Sequence, residues 1–178
     1  MKTAELVPVR PQPNEYDPYY ERYISLVPGA DIVTALQTQL DQTTVLLSAV
    51  NEEKAGYRYA PGKWSVKEVL GHLSDSERIL AYRALRIARN DRTPIEGFEQ
   101  DGYVQYGPFS DCRLSDLLQE FGYVRDASLS VFQKLNEDAW NRRGIANKAE
   151  ISVRALAFIL AGHELHHRKV LTEKYGIG

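Results

Sequence analysis

The strongest constraint on the fold of this chain is the helical spacing of its apolar residues in four long segments, while no segment of any length alternates as a β-strand does. Apolar side chains three or four residues apart lie on one face of an α-helix, so each segment predicts an amphipathic helix. The predicted helices run from Asp31 for about 20 residues, from Ser65 towards Asn90, from Leu114 to Leu135, and from Ser152 to just before Gly176. Together they predict an all-α protein, a four-helix bundle formed by residues 31–178.

Two of these helices carry clear end signals. Ser65 can cap the amide of Glu68 while the Glu68 side chain reaches back to Ser65, which is a capping box. Ser152 is a typical N-cap, and Gly176 is well suited to the left-handed position that follows many helices. The segment NRRGIANKAEIS, which precedes Ser152, is predicted to form a loop or a tight hairpin.

Residues 1–30 have a different composition. They contain five of the eight prolines (Pro8, Pro11, Pro13, Pro18 and Pro28). They also contain four tyrosines (Tyr16, Tyr19, Tyr20 and Tyr23). Because proline fixes φ and removes a backbone donor, this segment is predicted to be an extended arm rather than a helix. The tyrosines indicate that the arm lies against the bundle.

The charge of the chain limits the classes of partner. The formal net charge is −2 and the pI is near 6.1, so we do not expect a nucleic-acid partner. One helix face carries a row of arginines, which we interpret as a solvated flank paired with nearby acids (Arg83, Arg86, Arg89 and Arg92).

The compartment is indicated by three observations. Cys112 is the single cysteine, which excludes an intramolecular disulfide and a thiolate-rich metal site. The N-terminus lacks the apolar core of a signal peptide. No run approaches the roughly 18 apolar residues of a membrane span. We therefore expect a cytoplasmic protein with no membrane partner.

The four histidines form the candidate site. His163 and His167 continue the apolar stripe of the last predicted helix, where a spacing of four presents two imidazoles on one face. His72 lies at the margin of the stripe of the second helix, within a turn of Asp75, which could orient it. Three histidines from two helices would leave coordination positions open, as catalytic metal sites do. The alternative is that they are hydrogen-bonded core residues without a metal.

His166 and Glu164 complete the motif in which these residues lie. His163 to His167 read H-E-x-x-H, the signature of zinc proteases in which the glutamate activates water. Such proteases take a third ligand from beyond the motif, and no downstream residue here can supply it, so we do not predict a protease. Glu164 is kept as a candidate acid–base residue. His166 is predicted to lie beside the metal ligands, although it could replace His167.

Three stretches, WSVKEVLGHLSDSER, AYRALRIARND with TPIEGFEQDGYV, and SVRALAFILAGHELHH, together resemble the DinB/YfiT-like superfamily of damage-inducible four-helix proteins. The similarity extends over about residues 30–176. It implies a bundle that binds a divalent metal, often zinc or nickel, through His72, His163 and His167. It also implies a homodimer. Characterised relatives include S-transferases and isomerases that use low-molecular-weight thiols such as bacillithiol or mycothiol.

These observations lead to three functional hypotheses. The favoured one is a metalloenzyme in which a metal-held thiolate attacks a small electrophilic substrate, with Asp75, Glu164 and either Tyr103 or an arm tyrosine in supporting roles. The second is metal-dependent hydrolysis, in which the ion lowers the pKa of bound water to about 7. The third is a non-catalytic, stress-associated binding protein with a structural metal, for which His166 would be the fourth ligand.

Overall fold

The computed structural model describes residues 9–178, so Pro8 and the seven residues before it lie outside the described part of the chain. Four long helices account for nearly half of these residues: α2 (Ile32–Ser48), α4 (Val66–Ala88), α6 (Leu114–Phe132) and α8 (Val153–Tyr175). Four short helices accompany them: α1 (Glu21–Ile24), α3 (Glu52–Ala55), α5 (Gln100–Tyr106) and α7 (Glu137–Asn141). The predicted fold class, an all-α four-helix bundle, is confirmed. Within residues 9–178, no helix is both long enough and apolar enough to cross a membrane.

The predicted start of α4 and both predicted ends of α8 are those of the structure, while α4 ends at Ala88, two residues before Asn90. The Glu68 amide donates to Ser65 Oγ at 3.2 Å, and the Ser65 amide donates to the Glu68 carboxylate at 2.7 Å, which completes the capping box. At α8, Ser152 Oγ accepts from the Ala155 amide at 3.0 Å, and Gly176 adopts φ +63°. The other two long helices are shorter than predicted, because α2 ends at Ser48 and α6 ends three residues before Leu135.

A buried polar layer crosses the middle of the bundle and separates two apolar clusters. One cluster lies towards the start of α2 and includes Ile32, Ile87, Phe132 and Leu156. The other lies at the opposite end of the bundle and includes Leu47, Leu70, Phe121 and Leu171. The polar layer takes buried side chains from all four long helices: Gln39 and Thr43, His72 and Glu77, Arg125 and Ser128, and His163 and Glu164. This layer contains the candidate site.

The arm differs from the extended conformation that its prolines predicted. Residues 13–15 and 18–20 form two short 3-10 turns, and α1 follows the second directly. Each of these 3-10 helices begins with a proline. At the start of a helix the fixed φ of proline is suitable, and its missing N–H costs no hydrogen bond. As expected, the segment lies against the bundle, since Glu15 is buried and paired with Arg154 and Tyr16 is buried as well.

The two connections around the last helices are also structured. Strands β1 (Arg143–Ala146) and β2 (Ala149–Ser152) pair antiparallel, so the segment before α8 is the hairpin, one of the two forms predicted for it. Asn147 and Lys148, at its turn, both have positive φ. The long connection before α6 contains α5, which packs on α4. The hairpin and this connection border the cavity described below.

Candidate metal centre

Three histidines converge in the polar layer. His163 Nε2 lies 3.1 Å from His72 Nε2 and 3.2 Å from His167 Nε2. One ring nitrogen from each of the three lies within 4.8 Å of the others. Because His163 and His167 are one helical turn apart on α8, and α4 packs alongside α8, the three rings reach one point. The structure thus brings together the three histidines that the sequence spacing selected.

Burial keeps the three imidazoles neutral. It lowers the pKa of His72 to about 4 and that of His167 to about 3. Burial lowers the pKa of His163 well below its ordinary value, and the neighbouring histidines lower it further. At neutral pH each ring therefore carries a lone pair on one nitrogen, the form in which histidine binds a metal.

The spacing of the nitrogens suits a single metal ion. Two nitrogens that each lie about 2.0–2.1 Å from a tetrahedral zinc ion are about 3.3 Å apart. The two separations at His163 are 3.1 and 3.2 Å. Three nitrogen ligands on two helices complete neither a tetrahedral nor an octahedral shell, so further positions would be left for water or substrate.

Ser76, and not Asp75, lies at the second ring nitrogen of His72. The Ser76 hydroxyl is 3.4 Å from His72 Nδ1. Asp75 instead accepts a hydrogen bond from Arg78 at 3.3 Å. Four residues separate Ser76 from His72, which places it on the same helix face, whereas Asp75 is turned towards the surface. The role of Asp75 as the orienting group is therefore corrected in favour of Ser76.

Glu164 belongs to a buried ion network. Its Oε1 accepts from the Thr43 hydroxyl at 2.5 Å, and its Oε2 accepts from Arg125 Nη2 at 2.7 Å. Arg125 also donates twice to Glu77, at 2.8 and 2.9 Å. Neighbouring helical residues point about 100° apart, so Glu164 faces α2 and α6 while His163 faces α4. The H-E-x-x-H glutamate is therefore a structural residue, contrary to its predicted acid–base role.

Of two other predicted residues, His166 lies beside the trio and Tyr103 lies away from it. His166 is not among the three converging histidines, but its ring meets that of His167 edge-on, with centroids 5.1 Å apart, as predicted, and it also packs against Tyr23 with centroids 5.6 Å apart. Tyr103, on α5, is half exposed and packs on Phe98. Together with Asp75, it borders a separate surface depression rather than the histidines. Tyr103 is thus not the tyrosine that covers the site.

Arm tyrosines cover the histidines instead. The ring of Tyr23 meets that of His163 edge-on, with centroids 5.3 Å apart. Tyr19, Tyr20 and Tyr23 line one wall of a cavity of about 440 Å³, and His163 forms part of its floor. Of the two alternatives considered for the covering residue, the structure thus favours an arm tyrosine.

The same cavity is lined by Arg83, a residue that the sequence predicts to lie at the surface. Arg83 lines the cavity and is only 3% exposed, whereas the arginine row was predicted to be solvated. Arg86 does pair with an acid, Asp91, at 2.6 Å. The spacing between His72 and Arg83 indicates this location in the sequence. Eleven residues make close to three full turns of α-helix, so the two side chains lie on the same face.

Comparisons with known proteins agree with this architecture. The family model of the DinB superfamily matches residues 35–171. "Putative metal-dependent hydrolase OB0413" from Oceanobacillus iheyensis is 22% identical over 134 residues, which is 74% of this chain and 76% of the relative.

Two solved structures share the fold. YfiT from Bacillus subtilis, described as a probable metal-dependent hydrolase with an unusual four-helix bundle topology, superposes with a TM-score of 0.71 at 15% identity, covering 96% of this chain and 95% of its own. A mycothiol-dependent maleylpyruvate isomerase superposes with a TM-score of 0.68 at 13% identity, covering 86% of this chain and 63% of its own. Since the family model matches well over half of the sequence, the chain belongs to the DinB superfamily.

Proposed function

We propose that this protein is a metalloenzyme that transfers a small thiol to an electrophilic small molecule, with a divalent ion held by His72, His163 and His167. One observation carries the proposal. The neutral ring nitrogens of the three histidines converge, and one of these histidines, His163, also lines the neighbouring cavity. Zinc and nickel remain the proposed metals, although three imidazoles suit several transition metals.

The groups around the site favour a thiol over water as the nucleophile. When bound, a divalent ion supplies Lewis acidity, which favours the thiolate form of a thiol or the ionised form of water. Within residues 9–178 the carboxylates that line the cavity are Asp17 and Glu99, and both are exposed. Glu164 is held by Arg125. A thiol, with its low pKa, has less need of a general base than a hydrolytic water has.

The chain's own residues would bind, orient and shield the reactants. Ser76 would hold the ring of His72 through Nδ1, and Trp64 packs on that ring with centroids 4.7 Å apart. Tyr23 would exclude water from the face of His163 that it covers. The mycothiol dependence of the structurally similar isomerase supports a thiol as the second substrate.

The second candidate is metal-dependent hydrolysis. It is favoured by the descriptions of OB0413 and YfiT, both of which name a metal-dependent hydrolase. A purely structural metal is less well supported, because such a site is usually closed by four ligands and His166 is not part of the converging group.

Metal content and thiol dependence test the proposal together. We expect about one equivalent of a divalent ion in the purified protein and its loss in His72→Ala and His163→Ala, with His166→Ala as a matched control that keeps the metal. The metal-loaded protein is then incubated with small electrophiles with and without added thiols. Turnover that requires a thiol supports the transferase, and turnover without thiol supports the hydrolase. A metal-free protein that takes up neither zinc nor nickel would overturn both.

Light scattering on the same samples tests the homodimer proposed from the resemblance.

A further inference from the structure

Arg83 is a buried cation without a carboxylate partner among residues 9–178. Its Nη2 donates to the Glu96 carbonyl at 2.9 Å. Its Nε is buried and has no hydrogen-bond partner in the described part of the chain. The ring of Phe98 lies 5.9 Å from the guanidinium carbon. A buried guanidinium whose donors are not all used carries a large desolvation cost that these contacts do not offset.

The other strongly buried arginine shows what is missing at Arg83. Arg125 is fully buried and contacts two carboxylates, those of Glu77 and Glu164. Arg154 in the arm contact likewise pairs with Glu15. Burial lowers the pKa of Arg83, a shift that the nearby Tyr20 hydroxyl partly opposes. Arg83 thus differs from the paired arginines in lacking an anion.

The position of Arg83 relates it to the histidines. Ser76, Leu80 and Arg83 line the cavity from α4, and Ile159 and His163 line it from α8. Eleven residues of α-helix place the Cα of Arg83 about 16 Å along α4 from that of His72. Helical side chains lean towards the N-terminus of their helix, which for Arg83 is the direction of His72. One cavity is therefore lined both by His163, a member of the histidine trio, and by a guanidinium without a carboxylate partner among the described residues.

The remaining charges of the cavity favour a singly charged anion. Asp17 and Glu99 line its outer part, and each accepts a hydrogen bond from a nearby backbone amide, at 2.8 and 3.1 Å. Neither accepts from Arg83, whose Nη2 donates to the Glu96 carbonyl and whose Nε has no partner in the described part of the chain. One guanidinium balances one carboxylate and can bind it through two parallel hydrogen bonds. A dianion would leave one charge unbalanced beside these two acids.

We propose that Arg83 binds the carboxylate of a small substrate whose reacting group lies at the three histidines, so that the substrate class is small carboxylic acids. The placement of the reacting group at the three histidines rests on the proposed function. The carboxylate belongs either to the thiol or to the electrophile, and the two sources require separate probes.

Pairs of probes that differ only in the carboxylate test the proposal. The thiol pair is 4-mercaptobutanoate and 4-mercapto-1-butanol. The electrophile pair is monomethyl succinate and dimethyl succinate, which are saturated analogues without an alkene to which a thiol could add. Calorimetry on the metal-loaded protein should show at least about tenfold tighter binding of the carboxylate member in one pair or both, because a charge-assisted bond is lost in the neutral member.

Variants assign this preference to Arg83. Arg83→Gln should abolish it and Arg83→Lys should reduce it, since lysine keeps the charge without the planar fork. Arg89→Gln is the matched control, because it makes the same charge change at the exposed residue that follows the same helix, outside the cavity. Equal binding within both pairs, or a preference that survives in Arg83→Gln, would overturn the proposal.

A second readout needs no bound metal and is made on the wild-type protein, with Arg83→Lys used only to assign the signal. The Nε–Hε resonance of Arg83 in ¹⁵N-labelled protein, assigned from its absence in Arg83→Lys, should shift on titration with 4-mercaptobutanoate or monomethyl succinate and not with the neutral partners. A shift in a protein that binds no metal would leave the Arg83 proposal standing while the proposed function fails. Metal binding with no shift would refute the Arg83 proposal alone.

Discussion

Glu164 and Arg125 form an ion pair at the centre of the bundle, with Glu164 Oε2 2.7 Å from Arg125 Nη2. Both side chains are almost completely buried. The pair joins α8 to α6, and the Thr43 hydroxyl joins the same carboxylate to α2. A motif that would place Glu164 beside a metal-bound water in a zinc protease here supplies a crosslink between three helices.

Glu164→Gln is therefore expected to weaken the fold and not the metal site. Arg125 would keep Glu77 but lose one charged acceptor in a buried position, and we expect a loss of about 1–3 kcal/mol in the free energy of unfolding. Urea denaturation measures this loss, and metal content should stay at the wild-type value. Glu173→Gln, on the exposed part of α8, is the control and should change stability little. A variant of normal stability that has lost its metal would contradict the structural role.

Ser76→Ala is expected to weaken metal binding without abolishing it. The hydroxyl lies 3.4 Å from His72 Nδ1, where it orients the ring and selects the tautomer that leaves Nε2 free. Loss of such a partner costs about 10–100-fold in metal affinity. Competition with a chromogenic chelator gives the affinity. Asp75→Asn, one residue earlier, should leave it unchanged, because Asp75 contacts Arg78. The reverse order of effects would restore Asp75 as the orienting residue.

Gly162→Ala is expected to displace the arm. A β-carbon at Gly162 would lie 2.0 Å from the Tyr23 carbonyl oxygen, and backbone cannot move aside as a flexible side chain can. We expect a loss of about 1–3 kcal/mol in stability, typical of overpacking, and faster tryptic cleavage at Arg22. Gly122→Ala is the matched control on α6, where nothing lies within 4 Å of the added carbon, and it should be neutral or slightly stabilising. Equal cleavage at Arg22 in the two variants would mean that the arm is not held by this contact.

The metal-free protein is expected to lose stability as the pH falls from 6.5 towards 4. The folded-state pKa of His72 is about 4 and that of His167 about 3, whereas unfolded histidine titrates near 6.5. Between these pKa values the unfolded chain binds more protons than the folded protein does. The contribution of the neutral rings to the free energy of unfolding is therefore complete above pH 6.5 and is lost as the pH falls. For His72 alone the loss at pH 4.5 is about 2–3 kcal/mol.

Thermal unfolding of chelator-treated protein between pH 7.5 and 4.5 measures this loss. His72→Gln should show a smaller decrease across the same interval, because its side chain does not titrate. If the wild-type protein and the variant lose stability in parallel, the rings are not buried as neutral groups and their pKa values are not depressed.

Much of the helical architecture could be predicted from the sequence, because helix periodicity and capping act over a few residues. Ser65 with Glu68, and Ser152 with Gly176, define the ends of α4 and α8 through local hydrogen bonds and backbone conformation. The i and i+4 spacing of His163 and His167 is equally local. Pro13 and Pro18 are also local signals, since proline suits the first position of a helix, and each begins a 3-10 helix in the arm instead of the predicted extended segment.

Which partner each polar side chain meets was decided by the packing of helices distant in sequence. Thr43 and Arg125 reach Glu164 from two other helices, 121 and 39 residues away, and no local pattern encodes that meeting. Arg83 lies in a row of arginines that is otherwise near the surface, and the arm and the connection before α5 cover this part of α4 and help to bury it. The sequence by itself thus determined the helices and the face that carries the histidines. The tertiary structure decided which charges are paired and which remains free to bind an anion, since burial and pairing depend on neighbours that periodicity does not specify.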